Sequence, residues 1–254
     1  MKFSPKFLVL AFFIILNASQ ASFAATVMSN RCKDLPNWKS LKAALTEARK
    51  EANGGFNLEM WATLVDRDGV VCSVAFTGND RGDQWPGSRV ISAQKANTAN
   101  AFSLPKLALS TANLFSPVQP GGSLFGLQLS NPVNTDVAYG GSASQYGQSS
   151  DPMVGKHIGG VNVFGGGVAL YNEKGVIVGG LGVSGDSSCA DHNIAWKARK
   201  SIKLDFVPAG VSPAGDDNII YLGAGEAANG FKHALCAGTE NKIALPAVSK
   251  VAGK

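Results

Sequence analysis

The chain has 254 residues, of which 16% are charged and 45% are hydrophobic. This balance is typical of a folded globular protein, and it excludes a disordered acidic tail and a multispanning membrane protein. The formal net charge is +5 and falls to +3 when Lys2 and Lys6, in the N-terminal leader, are removed. So small a charge predicts no nucleic-acid partner. Glycine is in excess, with 30 copies and no G-X-Y period, which predicts long glycine loops and excludes collagen.

Residues 1–24 have the pattern of a signal peptide. Lys2 and Lys6 precede an unbroken apolar run over residues 7–16, and small residues stand before a cleavage point at Ala24. The run is too short to span a bilayer, which takes about 20 residues. The sequence therefore predicts a periplasmic or secreted protein with no membrane span after cleavage.

Export makes disulfides the favoured role of the cysteines, which are Cys32, Cys72, Cys189 and Cys236. No C-x-x-C pair is present to hold zinc or an iron–sulfur cluster. Four cysteines allow three pairings, and all three stay open. A Cys189–Cys236 bridge is favoured because it would fix a C-terminal segment that has little else to bury.

The first predicted elements are a helix, a hairpin and a second helix. Apolar residues recur at steps of three and four over residues 38–52, after Asn37, which predicts an amphipathic helix. Apolar runs over 61–65 and 70–76 flank a short polar turn and predict a β-hairpin. An alanine-rich helix is predicted over 88–102.

The same order returns about a hundred residues later. Strands are predicted over 168–171 and 176–183, and a helix follows over 188–203. The two hairpins align over residues 64–71 and 170–177 as L-[VY]-[DN]-x-x-G-V-[VI]. Two hairpin-plus-helix units can join their strands into one antiparallel sheet whose apolar face is covered by helices. The predicted fold class is therefore α/β, in the α+β sense.

A glycine-rich insertion over residues 117–167 lies between the two units. A connection this long inside a domain is either functional or disordered. Its aromatic residues favour an ordered loop that packs on the domain; they are Phe125, Tyr139, Tyr146 and Phe164. The predicted organisation is a domain over 25–206 that includes this insertion, and a C-terminal extension over 207–254 that ends in a loose tail from residue 244.

Two local patterns each have a ligand-binding and a structural interpretation. The strand, glycine turn and helix start over residues 179–190 would suit a carboxylate or phosphate, or Ser187 or Ser188 merely caps the helix. Small residues at three-residue steps, Ala93, Ala96 and Ala99, would accept a flat ligand, but their spacing alone favours packing of the helix on the sheet.

The three histidines differ in context. His192 lies in the first turn of the last predicted helix, where the helix dipole favours a neutral ring that can bind a metal. His157 lies in the glycine-rich insertion, and His233 lies in the C-terminal extension, where an incidental role is expected. A serine hydrolase is disfavoured because Ser184 lacks the second glycine of the G-x-S-x-G motif.

Three ordered blocks resemble a known family: KANTANAFSLP from Lys95, the glycine-rich stretch over 159–186, and ADHNIAWKAR from Ala190. They resemble the haem-degrading or haem-binding GlcG/HbpS family, related to the C-terminal domain of PduO-type corrinoid proteins, over residues 41–206. The resemblance implies a profilin-like antiparallel sheet of about five strands flanked by helices. It also implies a homo-oligomer and a ligand that is haem, a corrinoid or a small organic acid.

The resemblance implies site residues one by one. Lys95 and Thr98 match the family's K-A-x-T-A, Ser184 and Gly185 its G-V-S-G, and Asp191 the acidic residue that opens the last helix. The leading expectation is haem lying against the small-residue helix and the glycine loops. Its propionates would meet Lys95 or residues 185–188, and His192 or His157 would bind the iron.

The leading functional hypothesis is an exported haem-binding protein that is non-catalytic or weakly catalytic. The alternative is a binding or sensory module for a small carboxylate or a corrinoid, which uses the same glycine–helix junction without iron. A second alternative, enzymatic haem breakdown, follows only from the resemblance.

Overall fold

Four antiparallel strands form the central sheet of the computed structural model, which describes residues 32–253. They are β1 (Trp61–Asp66), β2 (Val71–Phe76), β3 (Gly167–Tyr171) and β4 (Ile177–Ser184). Their order is β2-β1-β4-β3, so the two hairpins meet through β1 and β4. The predicted signal peptide over residues 1–24 lies outside the described residues.

The expectation of about five strands is wrong, because short extended segments take the place of a fifth strand at both edges. At the β2 edge, Val71 exchanges backbone hydrogen bonds with Gly155 and Lys156. At the β3 edge, Tyr171 donates its amide to Leu204 at 2.8 Å and accepts from Phe206. Each segment covers the edge for a residue or two, which is too short for a strand.

Five helices accompany the sheet in the described chain. They are α1 (Trp38–Lys50), α2 (Ser88–Phe102), α3 (Leu127–Ser130), α4 (Thr135–Tyr139) and α5 (Ser188–Ser201). The long helices begin where the sequence predicts, and α2 has the predicted bounds. The first and last long helices end two residues before the predicted bounds of 52 and 203.

The two hairpin turns are built alike. The Asp66 carboxylate accepts hydrogen bonds from the amides of Asp68 and Val70 at 3.0 and 2.9 Å. In the second hairpin, the Asn172 side-chain oxygen accepts hydrogen bonds from the amides of Lys174 and Val176 at 3.0 and 3.1 Å. An Asp or Asn side chain that bonds its own backbone in this way stabilises a tight turn. The shared [DN] position of the repeat therefore has a structural cause.

Helices cover both faces of the sheet. Helices α1 and α5 pack on one face, where they share a buried core with alternate residues of the strands. Helix α2 packs on the other face, across β1, β3 and β4. Apolar residues of the first face include Leu41, Leu45, Leu64, Leu170, Leu181 and Trp196.

The glycine-rich insertion packs on the same face as α2. Met153 and Ile158 are fully buried against residues of the first hairpin, and Ala138 of α4 joins them. A buried ion pair fixes the insertion to α2, because both Nε and Nη2 of Arg89 donate to the Asp151 carboxylate. Asp151 also accepts from the amides of Gly147 and Met153 at 2.7 and 2.9 Å. The insertion is thus a structured part of the core.

The C-terminal extension is also packed, which corrects the expectation of a loose tail from residue 244. Leu245 and Val248 lie against the core. The Trp196 indole donates to the carbonyl of Pro246 at 2.8 Å, and Ser249 bonds the Asp205 carboxylate through its amide and hydroxyl. These bonds hold a segment that has little regular secondary structure.

The Cys189–Cys236 pairing favoured from the sequence is confirmed, with a Cα–Cα distance of 6.1 Å. None of the cysteines in the described chain is free. Within residues 32–253, no helix combines the length and the apolar character that crossing a bilayer requires.

Candidate functional site

Lys95 and Asp191, two of the predicted site residues, form a buried ion pair. The Lys95 Nζ is 2.7 Å from the Asp191 carboxylate and 3.2 Å from the carbonyl oxygen of Val183. The side chains are only 2% and 3% exposed. Burial raises the pKa of the Asp191 carboxyl to about 6, although the Lys95 ammonium opposes the shift. The lysine is therefore engaged by the protein itself, and it offers no exposed charge to a propionate.

The other family-matched residues are engaged in the same way. The Thr98 hydroxyl donates to the carbonyl of Gln94 at 2.7 Å and accepts from the Asn162 amide at 2.9 Å. The Ser184 hydroxyl bonds Ser88 inside the core at 3.2 Å. Gly185 approaches the backbone of residues 59 and 60 so closely that a Cβ would lie 2.4 Å from the Glu59 carbonyl oxygen. All three positions hold the fold together.

The start of α5 contacts several groups of the protein itself. The Ser187 hydroxyl caps the helix by accepting from the Ala190 amide at 3.3 Å, and the Cys189 amide faces the Cys236 sulfur at 3.3 Å. Asp191 accepts from the amide of Asp186 at 2.9 Å. The protein's own groups use the amides of residues 186, 187, 189 and 190, which favours the capping interpretation, and a propionate site over 185–188 stays a prediction.

Haem was also expected to lie against the alanine face of α2, and that expectation is wrong because β4 occupies the face. Ala93, Ala96 and Ala99 are fully buried. A Cβ built on Gly182 would lie 1.9 Å from the carbonyl oxygen of Ser92, so helix and strand meet at backbone distance. The small residues therefore serve helix-to-sheet packing, as their spacing favours.

The two predicted iron ligands, His192 and His157, lie in different surroundings. The His192 ring is fully buried, and its Nε2 faces the Ile219 amide at 3.1 Å and the Asn218 side chain at 3.2 Å. Its Nδ1 has no hydrogen-bond partner. Access of iron to this ring would require the segment around residue 219 to move. His157 is exposed beside the first hairpin, where its backbone bridges Val70.

His233, which was expected to be incidental, is 2% exposed and packs inside the protein. Its Nδ1 donates to the carbonyl of Ala234 at 2.7 Å, and Nε2 accepts from the Gly165 amide at 3.3 Å. The Phe115 ring lies 4.8 Å from the imidazole. Burial lowers the pKa of His233 to about 4 and that of His192 to about 3. Both rings are therefore neutral at neutral pH.

These shifts predict that the protein loses stability in mild acid. When the chain unfolds, both histidines regain a pKa near 6.5, so below this pH the unfolded state binds two protons that the folded state does not. Asp191 has a raised pKa in the folded state, so the folded state binds about one proton there that the unfolded state does not bind. The net difference is one proton, which lowers the free energy of unfolding by about 1.4 kcal/mol per pH unit between pH 6 and pH 4.

Urea unfolding of the oxidised protein at pH 7, 6, 5 and 4 measures this slope. The variant His233→Leu is expected to flatten it, whereas His157→Gln, which changes an exposed ring, is expected to keep it. A free energy of unfolding that stays constant from pH 6 to pH 4 would contradict the burial of two neutral rings.

A groove on the α2 face collects aromatic residues that the sequence does not group. Its volume is about 440 Å³, within the range of roughly 300–1,000 Å³ typical of small-molecule sites. Strand β1 and helix α2 form one side, and the glycine-rich insertion forms the other. The walls of this aromatic groove are formed by Trp61, Pro86, Val90, Tyr139, Ala143 and Tyr146.

The groove is lined by a buried tryptophan, Trp61, and by a rim arginine, Arg81. The Trp61 side chain is buried, and its Nε1 has no hydrogen-bond partner. The benzene ring of the Trp61 indole packs against Gly147. A Cβ on Gly147 would lie 2.7 Å from Trp61 Cζ3. At the rim, Arg81 is half exposed and only 3.9 Å from the Asp80 carboxylate, a loose ion pair. The groove therefore offers an interior rich in aromatic and apolar side chains and a positive charge at its rim.

The second arginine of the groove has a structural role. Arg89 is 2% exposed and paired with Asp151, and its guanidinium carbon lies 3.7 Å above the Tyr146 ring. This stacking fixes Tyr146 as a wall. Tyr139, by contrast, is 65% exposed at the rim, so its phenol is accessible to a ligand.

Comparisons with known proteins find a matching family model and several similar solved structures. A family model described as "Haem degrading protein HbpS-like" matches residues 37–200. The chain is similar to the solved PduOC:heme complex, with 25% identity, a TM-score of 0.45 and coverage of 65% of this chain and 91% of that one. It is also similar to protein ORFY of Klebsiella pneumoniae, with 24% identity, a TM-score of 0.44 and coverage of 65% and 86%.

A third solved structure, HbpS, gives 18% identity, a TM-score of 0.40 and coverage of 64% of this chain and 84% of that one. No curated protein matches the chain. The family model covers more than half of the 254 residues. The resemblance stated from the three sequence blocks is therefore confirmed, and the chain belongs to the family described as haem degrading protein HbpS-like.

Proposed function

We propose that this protein binds haem in the aromatic groove. The family description points to haem as the ligand. The observation that carries the assignment to this place is the groove itself, which combines aromatic walls, the rim cation Arg81 and a volume of about 440 Å³. A flat, largely apolar plate with acidic groups at one edge complements these three features.

Each part of the groove has a distinct role in this proposal. Val90, Pro86 and the Tyr146 ring contact the apolar plate, and Arg81 attracts the propionates at the rim. The phenol oxygen of Tyr139 is the accessible donor toward iron, and tyrosine is a known axial ligand of haem. Bound haem would supply an iron centre for ligand or electron chemistry.

The ligand assignments made from the sequence remain separate predictions. His157 is accessible but lies outside the residues that line the groove, and His192 is accessible only after a rearrangement. Iron coordination by either histidine would put haem elsewhere on the chain. The same titration can therefore test the groove and the histidines against each other.

Titration with hemin, followed by the Soret band, tests the proposal. The wild-type protein is expected to bind one equivalent saturably. Tyr139→Ala is expected to weaken binding about tenfold, which corresponds to about 1.4 kcal/mol of lost aromatic contact and ligation. Ala143→Trp, which fills the groove from an exposed position, is expected to abolish saturable binding.

Phe125→Ala is the matched control, because Phe125 is an aromatic residue of the same insertion with the same 65% exposure as Tyr139 but lies outside the groove. It is expected to leave hemin affinity unchanged. Hemin binding that survives Ala143→Trp but is lost in His157→Ala would overturn the groove assignment and support the histidine.

We propose binding rather than turnover as the main activity. The one carboxylate among the groove residues, Asp80, is next to Arg81, and none of the histidines lines the groove. Haem breakdown is the second candidate because the matching family is described as haem degrading. Loss of the Soret band with a reductant, with product released in the presence of catalase, would favour breakdown. A Soret band that persists under these conditions favours binding.

The protein is proposed to act after export. The Cys189–Cys236 disulfide is typical of an oxidising compartment, which agrees with the signal-peptide pattern of residues 1–24. A homo-oligomer remains a prediction from the family resemblance. Mass photometry of the protein with and without hemin measures its state directly.

A further inference from the structure

The Cys189–Cys236 bridge lies in a cluster that contains the side chains of a soft-metal site. The two sulfur atoms and one ring nitrogen of His233 all lie within 4.8 Å of one another. The Sγ atom of Cys189 is 3.9 Å from His233 Nδ1. Two thiolates and one imidazole form a ligand set that binds zinc with a fourth position left open. The disulfide occupies this set in the oxidised protein.

We propose that reduction of this bridge converts the cluster into a binding site for Zn²⁺ or a similar thiolate-preferring divalent ion. The reductant is a dithiol, either a small molecule or the active site of a thiol–disulfide oxidoreductase. Its two sulfurs form a disulfide, and its two electrons and two protons convert the Cys189–Cys236 bond into two thiols. Binding of the metal ion to both sulfurs then releases the two protons.

The start of α5 places two hydrogen-bond donors near the Cys236 sulfur. The backbone amide of Cys189 points at the Cys236 sulfur at 3.3 Å, and the Ser188 hydroxyl lies 3.6 Å from the same atom. Cys236 is half-buried whereas Cys189 is fully buried, so an external thiol reaches the disulfide from the Cys236 side.

The surroundings of His233 prepare its ring for a metal. The Nδ1–H, on the ring nitrogen that lies 3.9 Å from Cys189 Sγ, donates to the carbonyl of Ala234 at 2.7 Å, so the lone pair is on Nε2. Metal binding through Nε2 would replace the hydrogen bond that this atom accepts from the Gly165 amide. A backbone carbonyl that fixes the second ring nitrogen is the usual support of a metal-bound histidine. The Nε2 contacts are long, 3.3 Å to the Gly165 amide and 3.5 Å to Ser188 Oγ. The Ser188 hydroxyl thus lies between Nε2 and the Cys236 sulfur, where it or a water can complete four-coordination.

Metal uptake by the full chain before and after reduction tests the proposal. Protein reduced with a phosphine is separated from the reductant under argon and titrated with Zn²⁺ against a chromophoric chelator. The reduced wild type is expected to bind one more equivalent than the oxidised wild type. Co²⁺ in its place is expected to give a thiolate-to-metal charge-transfer band with the intensity of two sulfur ligands.

Three variants locate the site. The double variant Cys189→Ser/Cys236→Ser is expected to lose the extra equivalent and the charge-transfer band, and His233→Leu is expected to weaken Zn²⁺ binding at least tenfold. The matched control, Cys32→Ser/Cys72→Ser, leaves this cluster intact and is expected to keep both signals.

Two results would overturn the proposal. One is equal Zn²⁺ uptake by oxidised and reduced wild type, a comparison that needs no variant to fold. The other is an extra equivalent that disappears in Cys32→Ser/Cys72→Ser but persists in Cys189→Ser/Cys236→Ser.

Discussion

Replacing Gly182 by alanine is expected to lower the free energy of unfolding by about 3 kcal/mol or more, at the upper end of the cost of overpacking a core. A Cβ at this position would lie 1.9 Å from the Ser92 carbonyl oxygen and 2.4 Å from the Ala96 amide nitrogen. Both atoms belong to the backbone of α2, so no side-chain rotation can relieve the contact. The helix itself would have to move off the sheet.

Gly87→Ala is the matched control for this prediction. Gly87 immediately precedes the same helix, with an ordinary φ of −62°, and a Cβ there would meet no atom within 4 Å. Alanine is expected to change stability by less than about 1 kcal/mol there, because the restriction of the unfolded chain is offset by the lower preference for alanine at a helix N-cap. Urea unfolding of both variants measures the difference. A Gly182→Ala protein within 0.5 kcal/mol of wild type would contradict the backbone contact between α2 and β4.

The elements that the sequence predicted well are those with local causes. The hairpin repeat depends on a turn in which Asp66 or Asn172 bonds its own backbone, and this turn is encoded within five residues. The bounds of α2 follow from a run of helix-forming residues. Such signals need no knowledge of distant parts of the chain, so fold class and element order were predictable.

The contacts between elements that are distant in the sequence could not be predicted from such local signals. The alanine face of α2 was visible as a pattern, and Gly180 and Gly182 were already part of a predicted strand, but nothing in the sequence showed that these two glycines are the partner of that face. Both lie within β4, where the lack of a Cβ lets the backbone of α2 contact the strand directly. A small-residue face does not itself indicate whether a strand or a ligand fills it.

The aromatic groove depends on contacts between distant segments. Trp61 of β1, Val90 of α2 and Tyr146 of the insertion are far apart in the chain, and they meet because the Arg89–Asp151 ion pair fixes the insertion over α2. The aromatic content of the insertion predicted that it packs on the domain. Nothing local indicated which residues would face it.

Two residues that match the family motifs form an ion pair that the sequence alone did not indicate. Lys95 and Asp191 were both assigned to ligand binding, but they bind each other, 96 positions apart. A charged residue in a family motif therefore had a structural partner that only the fold reveals.

Replacing Lys95 by methionine is expected to lower the free energy of unfolding by about 3–5 kcal/mol at pH 8, the usual cost of removing one member of a buried ion pair. Methionine fills a similar volume, so the loss arises from the charge of Asp191, whose side chain is 3% exposed and 2.7 Å from the lysine Nζ in the wild type. Lys50→Met is the control, because that lysine pairs with Glu47 on the surface and is 59% exposed. Its expected cost is below about 0.5 kcal/mol.

The pH dependence identifies the charge as the cause. The pKa of Asp191 is already raised to about 6 by burial, and removal of the Lys95 ammonium raises it further. Below pH 6 the carboxyl is neutral in the folded variant, so the loss caused by Lys95→Met is expected to shrink as the pH falls from 8 to 5. Adding Asp191→Asn, which keeps an oxygen for the Asp186 amide, is expected to recover most of the loss at pH 8. A loss that is the same at pH 8 and pH 5, and that the second substitution does not reduce, would mean that Lys95 contributes through packing alone.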